Sequence, residues 1–343
     1  MPATVAEDGA NGLKVNGMTS DGSGYDMTAS SSFGFAPLMA ATWNPELLYE
    51  VGAAFGQESL ANGINGWYCP AINLHRSFFS GRVFEYYSED PILSGVLASN
   101  VISGAGDQGM FCYIKHFALN ETETGRAELI STWADEQTMR ELYLKPFEIA
   151  IENARMTLNY YDENGNMTSE VRRAATAAMA SQTGVGTVAG ECNYNLLTNV
   201  LRKEWGFEGM VISDYWVWFG DNLRDLALRS GCDTYLCMFV PIMWSITDYD
   251  SPTARTAMRN AIHNIAYAVV NSNAMQGYAP GAVQKVGMSP WQKMLIANDI
   301  VIALLLVGGI FWIIRRAKAE KLHPELFKPR KSKKKKAEKE IEA

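Results

Sequence analysis

Cysteine is scarce in this sequence, and its spacing excludes the usual cysteine-based sites. The 343 residues include five cysteines, an odd number without the paired spacing that holds a metal. We interpret all five as small core residues, with Cys232 and Cys237 on a buried strand. The sequence also lacks an internal repeat and a glycine loop of the phosphate-binding type. The sequence therefore gives no reason to expect a metal ion or an organic cofactor.

Basic residues are in short supply except at the C-terminal end. Residues 315–343 contain 12 Lys+Arg and 5 Asp+Glu, a net charge of +7, whereas the remaining 18 and 32 give −14. An acidic body with a basic tail argues against general nucleic-acid binding.

One long apolar run, residues 295–314, contains a single charge, Asp299, near one end. A run of this length is able to cross the hydrocarbon core of a bilayer. Arg315 and Arg316 follow at once, and the lysine-rich tail comes next, so the positive-inside rule places the C-terminus in the cytoplasm. We therefore predict a transmembrane helix over residues 294–314, an extracytoplasmic body and a basic cytoplasmic tail over residues 315–343. The alternative, a buried core helix, does not account for the arginine pair and the tail.

An export signal is missing from the N-terminus. The first 12 residues, MPATVAEDGANG, have neither a basic segment nor an apolar one. Either the body is cytoplasmic with a reversed tail anchor, or the chain is the end of a longer polypeptide. We expect the second arrangement.

Short apolar runs alternate with helical patterns along most of the chain. Strands are predicted over residues 3–6, 66–70, 110–114, 175–180, 209–212 and 232–237, and helices over residues 44–60, 93–103, 136–154 and 196–204. Residues 159–171 have the composition of a polar loop. This alternation predicts an α/β fold, a (β/α)8-like TIM barrel, complete or incomplete, over residues 1–250. A helical or linker segment follows over residues 251–293.

Polar side chains stand where four of these strands end. Asp8, Lys115-His116, Ser181 and Asp214 fall at such ends, and Arg82 lies in the loop after another strand. In a parallel barrel the strand ends meet on one face, so these groups are expected to share a pocket. Carboxylates and cations of this kind bind sugar hydroxyls, and Trp43 or Trp216 is available to stack on a pyranose ring.

Each of these residues also has a simpler interpretation. Asp8 is also suited to a turn, Arg82 and Glu85 to a structural ion pair, and His116 to a satisfied core position. Asp214 is also suited to capping the next helix.

At this point the residues resemble the barrel domain of family 3 glycoside hydrolases, the group that contains β-glucosidases and β-xylosidases. The resemblance extends from about residue 2 to residue 236. It is carried by Asp8-Gly9-Ala10-Asn11-Gly12-Leu13-Lys14, Ala41-Thr42-Trp43-Asn44, Asn73-Leu74-His75-Arg76, Gly81-Arg82-Val83-Phe84-Glu85, Ser88-Glu89-Asp90-Pro91, Lys115-His116-Phe117, Asn120-Glu121, Arg126, Arg140-Glu141-Leu142-Tyr143-Leu144-Lys145-Pro146-Phe147, Leu201-Arg202-Lys203-Glu204-Trp205-Gly206-Phe207 and Ser213-Asp214-Tyr215.

The resemblance implies a retaining β-glycosidase that acts on β-glucosides or short β-linked oligosaccharides. Asp214 would be the nucleophile, and Lys115 and Arg82 would keep its pKa low. The sugar beside the scissile bond would be held by Asp8, Arg82, Lys115, His116 and Tyr215.

Two departures from the family pattern stand out. Gln182-Thr183 replaces the usual Tyr or Phe followed by Asn. The acid/base also has no candidate: two-domain members take it from an α/β sandwich domain, and single-domain members from a loop histidine that ALNETETGR lacks. Some relatives have the sandwich before the barrel, so we expect that domain upstream of Met1.

Two other functions remain open. One is a non-catalytic, membrane-displayed carbohydrate-binding barrel. The weaker one is a lyase or aldolase with Lys115 as the Schiff base, which leaves Asp8 and the arginine loop unexplained.

Overall fold

The computed structural model describes residues 1–14, 30–126, 128, 130–215, 222–236, 246–281 and 287–327. The chain divides into two compact units, residues 1–282 and 283–343. The predicted core cysteines Cys69, Cys112, Cys192 and Cys232 are buried free thiols. Cys237, Trp216 and the tail from residue 328 lie outside the described residues.

The strands and helices of the described residues alternate along most of the first unit. The strands are β1 (Ala6–Glu7), β2 (Gly66–Trp67), β3 (Phe111–Phe117), β4 (Ser131–Thr132), β5 (Arg155–Tyr161), β6 (Met167–Arg173), β7 (Ala177–Ala180), β8 (Gly184–Val185), β9 (Val188–Ala189), β10 (Met210–Tyr215) and β11 (Thr234–Leu236). The α-helices are α1 (Ala36–Ala40), α2 (Pro45–Ala61), α3 (Pro91–Asp107), α4 (Glu136–Thr138), α5 (Lys145–Asn153), α6 (Asn222–Ser230), α7 (Pro252–Val270) and α8 (Pro290–Leu322). Met139–Tyr143 and Asn195–Glu204 are π-helical.

Six strands form one parallel sheet in the order β1-β2-β3-β7-β10-β11. Every strand predicted from the apolar runs is present, so the α/β fold with a parallel sheet is confirmed. Within the described ranges this sheet is half of a barrel. The carboxyl ends of its strands share one edge, which is where a parallel α/β fold places its functional residues.

Helices α2 and α3 pack against each other at unusually close range. Asn44 caps α2 by accepting the backbone N–H of Leu47 at 3.0 Å, as predicted. A Cβ at Gly52 of α2 would lie 2.0 Å from the Val101 carbonyl oxygen of α3, and one at Gly104 would lie 2.1 Å from the Tyr49 carbonyl oxygen. The absence of side chains at these two glycines therefore sets the separation of α2 and α3.

The polar segment over residues 159–171 was wrongly predicted as a loop, because it forms most of the antiparallel hairpin of β5 and β6. Asp162 nucleates its turn by accepting the backbone N–H groups of Asn164 and Asn166 at 2.9 and 2.8 Å. Most of the hairpin's side chains are exposed or half-buried. The hairpin thus lacks the apolar alternation by which a strand is normally predicted.

The second unit contains α8, a 33-residue helix with no buried residue. Its most apolar 18-residue window has a mean hydropathy of 2.3, so its length and composition are sufficient to cross a membrane. Ser289 and Gln292 form a capping box at its N-terminus.

Asp233, at the start of β11, is a buried junction between three elements. Its carboxylate accepts hydrogen bonds from Arg202 at 2.6 Å, from the Val211 backbone at 2.7 Å and from Asn264 of α7 at 2.9 Å. Burial raises the pKa of Asp233 to about 6, although the Arg202 charge opposes this. The carboxylate therefore joins the π-helical segment, β10 and α7 at a cost in desolvation.

We predict that Asp233→Asn lowers the free energy of unfolding by about 3 kcal/mol, because it leaves the Arg202 guanidinium without its anionic partner in a largely buried position. Urea denaturation measures this change. The control is Asp250→Asn, which breaks a pair with Arg255 whose side chains are 95% and 67% exposed, and it should change the stability little. Equal stabilities of the two variants would show that Asp233 is not such a junction.

Candidate active site

The strand ends bring the predicted residues together in one cluster. Asp8 directly follows β1, Lys115 and His116 lie near the end of β3, and Asp214 lies near the end of β10. Side-chain contacts join Asp8 to Lys115 and His116 to Asp214, and further charged residues, described below, link the two pairs.

Asp8 is held in a tight turn whose geometry requires glycine. The Asp8 carbonyl accepts the N–H of Lys14 at 2.8 Å. Gly9 has a φ of +134°, and a Cβ there would lie 1.8 Å from the Gly12 carbonyl oxygen. Asp8 is therefore a turn residue through its backbone and a member of the cluster through its carboxylate. The two interpretations of Asp8 are compatible with each other.

Two lysines contact the Asp8 carboxylate. The Nζ of buried Lys115 lies 3.0 Å from Oδ1, and the Nζ of exposed Lys14 lies 3.4 Å from Oδ2. Burial raises the pKa of Asp8, but the charge of Lys115 and its hydrogen bond outweigh this effect, and the pKa is lowered. Burial likewise opposes the Lys115 ammonium, yet its pKa is raised, with Asp8 and Glu85 among the causes. Both groups are therefore charged at neutral pH.

Arg82 makes the ion pair with Glu85 that the sequence suggested, and it makes more than that. Its guanidinium contacts the Glu85 carboxylate and lies 3.4 Å from Glu123. Glu85 in turn lies 3.9 Å from the Nζ of Lys115. The pair is thus structural and also part of the strand-end cluster.

Asp214 has a different cationic partner from the two that were expected. Its Oδ2 is hydrogen-bonded to the Nη1 of Arg126, while the direct ion pairs of Lys115 and Arg82 are with other carboxylates. Asp214 is buried, and its Oδ1 accepts the backbone N–H of Tyr215 at 2.6 Å. Lys115 and Arg82 form their direct ion pairs with Asp8, Glu85 and Glu123, so their expected influence on Asp214 stays a prediction.

His116 is buried beside Asp214. Its Nε2 lies 3.7 Å from Asp214 Oδ2. Burial, together with the charges of Arg82, Lys115 and Arg126, lowers the pKa of His116 well below its ordinary value, so the ring is neutral. Asn73 holds its backbone by donating to the His116 carbonyl at 3.0 Å and accepting the His116 N–H at 2.7 Å. The peptide bonds 115–116 and 117–118 are cis.

These contacts form one continuous chain of alternating charge, which we call the ion-pair chain. In order it consists of Lys14, Asp8, Lys115, Glu85, Arg82, Glu123, Arg126 and Asp214. Four cations and four anions balance, and neutral His116 closes the end at Asp214. A site of this composition offers charged hydrogen-bonding groups to hydroxyls around one buried carboxylate, Asp214.

Arg126 and Glu123 are members of the ion-pair chain that the sequence analysis gave no role in the site. Arg126 appeared only as one position of the family pattern, and Glu123 in no role. Both lie in the segment after β3, where no periodicity fixes a structure, and Glu123 is placed by its backbone N–H bond to the Ser80 carbonyl at 2.8 Å. The one clue in the sequence was that a buried Arg82 would require an anionic partner in addition to Glu85, and Glu123 is that partner.

Glu121 is a further buried carboxyl near this cluster. Burial raises its pKa to about 7. Its Oε1 accepts the Leu74 backbone N–H and the Asn73 amide, both at 3.4 Å. Since Asn73 also bonds to the His116 backbone, Glu121 supports the end of β3 through Asn73.

The predicted stacking residue Trp43 lies apart from these contacts. Its side chain is 71% exposed. It lines a cavity of about 470 Å³ together with His75, Arg76 and Phe78. The other candidate, Trp216, falls outside the described residues.

Residues 19–243 match the family described as the glycosyl hydrolase family 3 N-terminal domain. The chain is 37% identical over 236 residues to a β-glucosidase of Rhizobium radiobacter, covering 68% of this chain and 25% of that protein. It is 34% identical over 247 residues to a probable β-glucosidase I of Aspergillus clavatus, covering 71% of this chain and 25% of that protein.

Solved structures agree with this assignment. The structure of β-glucosidase 3B from Thermotoga neapolitana in complex with glucose superposes with a TM-score of 0.64 at 32% identity, covering 80% of this chain and 36% of that one. A β-glucosidase from Paenibacillus barengoltzii superposes with a TM-score of 0.65 at 27% identity, covering 83% and 29%. The chain spans about a quarter of the length of the curated relatives it matches. The chain therefore belongs to glycosyl hydrolase family 3 and carries the N-terminal domain of that family.

Proposed function

We propose that this chain provides the nucleophile-bearing half of a retaining β-glycosidase, β-glucosidase-like in its substrates. The observation that carries the proposal is the ion-pair chain, which ends on a buried carboxylate, Asp214, at a strand end. The names of the relatives support a β-glucoside as the substrate.

Each residue of the site has a role in this proposal. An oxygen of Asp214 attacks the anomeric carbon, the glycosidic C–O bond breaks, and its electron pair leaves with the aglycone oxygen, which takes a proton from an acid. Asp8, Lys115 and Arg82 bind the hydroxyls of the sugar. His116 and Tyr215 line the wall next to Asp214. Water then cleaves the glycosyl ester and restores Asp214.

Arg126 holds the nucleophile in position. As the cation in direct contact with Asp214, it compensates for the burial of the negative charge. A neutral His116 adds no positive charge that would oppose the oxocarbenium-like transition state.

We infer that the acid/base belongs to a further α/β sandwich domain, placed upstream of this barrel in a longer polypeptide. The curated relatives extend well beyond the matched region, since the match covers 25% of each of two of them. In the part of the chain that the structure describes, Glu85 and Glu123 are each bonded to two cations. Neither is suited to carry the proton that the leaving group requires.

We also propose that α8 anchors the chain in a membrane, with the body extracytoplasmic and residues 315–343 cytoplasmic. The apolar residues 294–314 of α8 would extend about 30 Å, the thickness of the hydrocarbon core. Trp291 and Trp312 stand near the two ends of this stretch, where aromatic residues favour the interface. The proposed divisions are a barrel over residues 1–250, a linker segment over 251–293, the span and the tail.

A non-catalytic carbohydrate-binding barrel is the second candidate. The replacement of the family's aromatic residue and asparagine by Gln182-Thr183 favours it. This candidate predicts sugar binding without a covalent intermediate.

The first prediction concerns Asp214. A dinitrophenyl 2-fluoro-β-glucoside needs little protonation of its leaving group, so the chain alone should become labelled at Asp214, with the glycosyl mass found by peptide mass spectrometry. Asp214→Asn should lower the labelling rate by roughly 1,000-fold or more, because the attacking group is removed. Asp250→Asn, on the exposed surface, should label like the wild type. Sugar binding by a wild-type chain that is never labelled would favour the second candidate.

The second prediction uses the two lysines that contact Asp8. Since the pKa of Asp8 is lowered, its carboxylate persists in mildly acidic solution, and sugar affinity should persist with it. Lys115→Met removes the main cause of the lowering, so the pKa of Asp8 should rise and the affinity should decline at a higher pH as the solution is acidified.

Isothermal titration with a glucose-like inhibitor between about pH 4 and pH 7 measures this change. Lys14→Met is the matched control, and because Lys14 is exposed, its pH profile should stay close to that of the wild type. Identical pH profiles for the two variants would contradict the assigned role of Lys115.

The third prediction tests the membrane anchor. The full chain, synthesised with membrane vesicles, should resist carbonate extraction. Leu305→Arg with Leu306→Arg should release it, because each arginine at the centre of a span costs about 3 kcal/mol. The control pair Ala319→Arg and Leu322→Arg lies on the same helix beyond the apolar stretch and should leave extraction unchanged. Release of the wild-type chain by carbonate would exclude a span.

A further inference from the structure

The backbone pairing between β7 and β10 stops before it reaches Asp214. The last partnered residues are Met179 and Ile212. Two residues further along β10, the backbone around Asp214 has left the β7 ladder. The pairing of β10 with β11 is also irregular between Ile212 and Tyr215. Tyr215 still pairs with Leu236 of β11, but on the β7 side the Asp214-bearing end of β10 depends on side-chain contacts for its position.

Gln182 supplies such a contact from the β7 side. Its side-chain amide Nε2 donates to the Tyr215 carbonyl at 3.0 Å, and the residue is only 3% exposed. Gln182 follows β7 by two residues, so its side chain continues the connection between the two strands where their backbones no longer pair.

The segment around Gln182 is itself fixed to β3. The backbone N–H of Ser181 donates to the Phe117 carbonyl at 2.8 Å. The hydroxyl of Thr183 donates to the Leu119 carbonyl at 3.1 Å. The segment that contains Gln182 is therefore bonded to the end of β3, the strand that carries Lys115 and His116. Through its own bond to Tyr215, Gln182 connects the end of β3 to the end of β10.

The bond from Gln182 reaches the Asp214 carboxylate through the backbone of Tyr215. The Tyr215 N–H donates to Asp214 Oδ1 at 2.6 Å, so the residue held by Gln182 is the one that holds the carboxylate. On the β11 side, the Ser213 hydroxyl donates to the Asp214 carbonyl at 2.8 Å and accepts the Leu236 N–H at 3.0 Å. The segment around Asp214 is thus restrained on both sides. Gln182 holds it from the β7 side, and the bond between Ser213 and the Leu236 N–H holds it from the β11 side.

We propose that Gln182 is a positioning residue for Asp214: by bonding the Tyr215 carbonyl it fixes the backbone of that residue, and through the Tyr215 N–H the aim of the carboxylate, relative to Lys115 and His116. The inference rests on the proposed function for its kinetic consequence. It also assigns a role to the pair Gln182-Thr183, whose departure from the family pattern had none.

The test uses two replacements of similar size in the full chain. Gln182→Met lacks the donor, so the maximal labelling rate by the dinitrophenyl 2-fluoro-β-glucoside should fall by about 10- to 100-fold, while the affinity for the probe stays unchanged. Gln182→Glu presents an ionised oxygen to the Tyr215 carbonyl at neutral pH and should label slowly. As the pH falls, its protonated carboxyl becomes a donor, so the rate relative to wild type should recover.

Gln137→Met is the matched control. Gln137 is exposed and bonds to Glu141, so this variant should label at the wild-type rate at every pH. Because the recovery of Gln182→Glu occurs within a single variant, loss of folded protein does not produce it. Labelling of Gln182→Met at the wild-type rate, or a pH profile of Gln182→Glu parallel to that of Gln182→Met, would overturn the proposal.

A second readout does not depend on the reaction. In Gln182→Met the Tyr215 N–H should exchange with solvent roughly tenfold faster, since its bond to Asp214 loosens. Hydrogen exchange read by mass spectrometry on peptides that cover β10 measures this rate. Unlabelled wild-type protein would overturn the proposed function, and unchanged exchange in Gln182→Met would overturn the role of Gln182.

Discussion

The charged side chains buried at the strand ends of this fold have to compensate one another. Lys115, Glu85 and Asp214 are each at most 6% exposed. An isolated charge at that depth is strongly disfavoured, but a charge with close partners of opposite sign is tolerated. The ion-pair chain meets this requirement by alternating cations and anions from Lys14 to Asp214. The positions of the buried members therefore depend on their neighbours.

This mutual dependence explains which residues contact which. Lys115 lies between Asp8 and Glu85, at 3.0 and 3.9 Å, and its charge is engaged by them. Arg82 is likewise engaged by Glu85 and Glu123. The cation that contacts Asp214 is therefore a third one, Arg126. The Nε of Arg126 lies 2.8 Å from Oε2 of Glu123, which orients the guanidinium. Removing one member would leave a neighbour with an uncompensated charge, so single substitutions should affect residues two contacts away.

The sequence predicted those parts of the site that depend on regular structure. Asp8, Lys115, His116 and Asp214 follow short apolar runs, and the meeting of parallel strand ends places them together without further information. Arg126 and Glu123 were beyond such reasoning, because their segment has no hydrophobic period and its course is set by contacts such as that of Glu123 with Ser80. The hairpin of β5 and β6 was missed for a related reason. Its strands are largely solvent-exposed and lack an apolar face, so its formation depends on the turn at Asp162 and on backbone pairing.

The network around Asp214, the proposed nucleophile, also bears on where the proposed acid can lie. A general acid must carry a proton at working pH and give it up in the transition state. Glu85 and Glu123 each lie between two cations, whose attraction would be lost on protonation. Glu121 has a pKa of about 7, as an acid would need, but its carboxyl is bonded to Asn73 and Leu74 behind β3. A group that approaches from outside the ion-pair chain is free of these contacts, so the proposed acid on a separate domain is compatible with this arrangement.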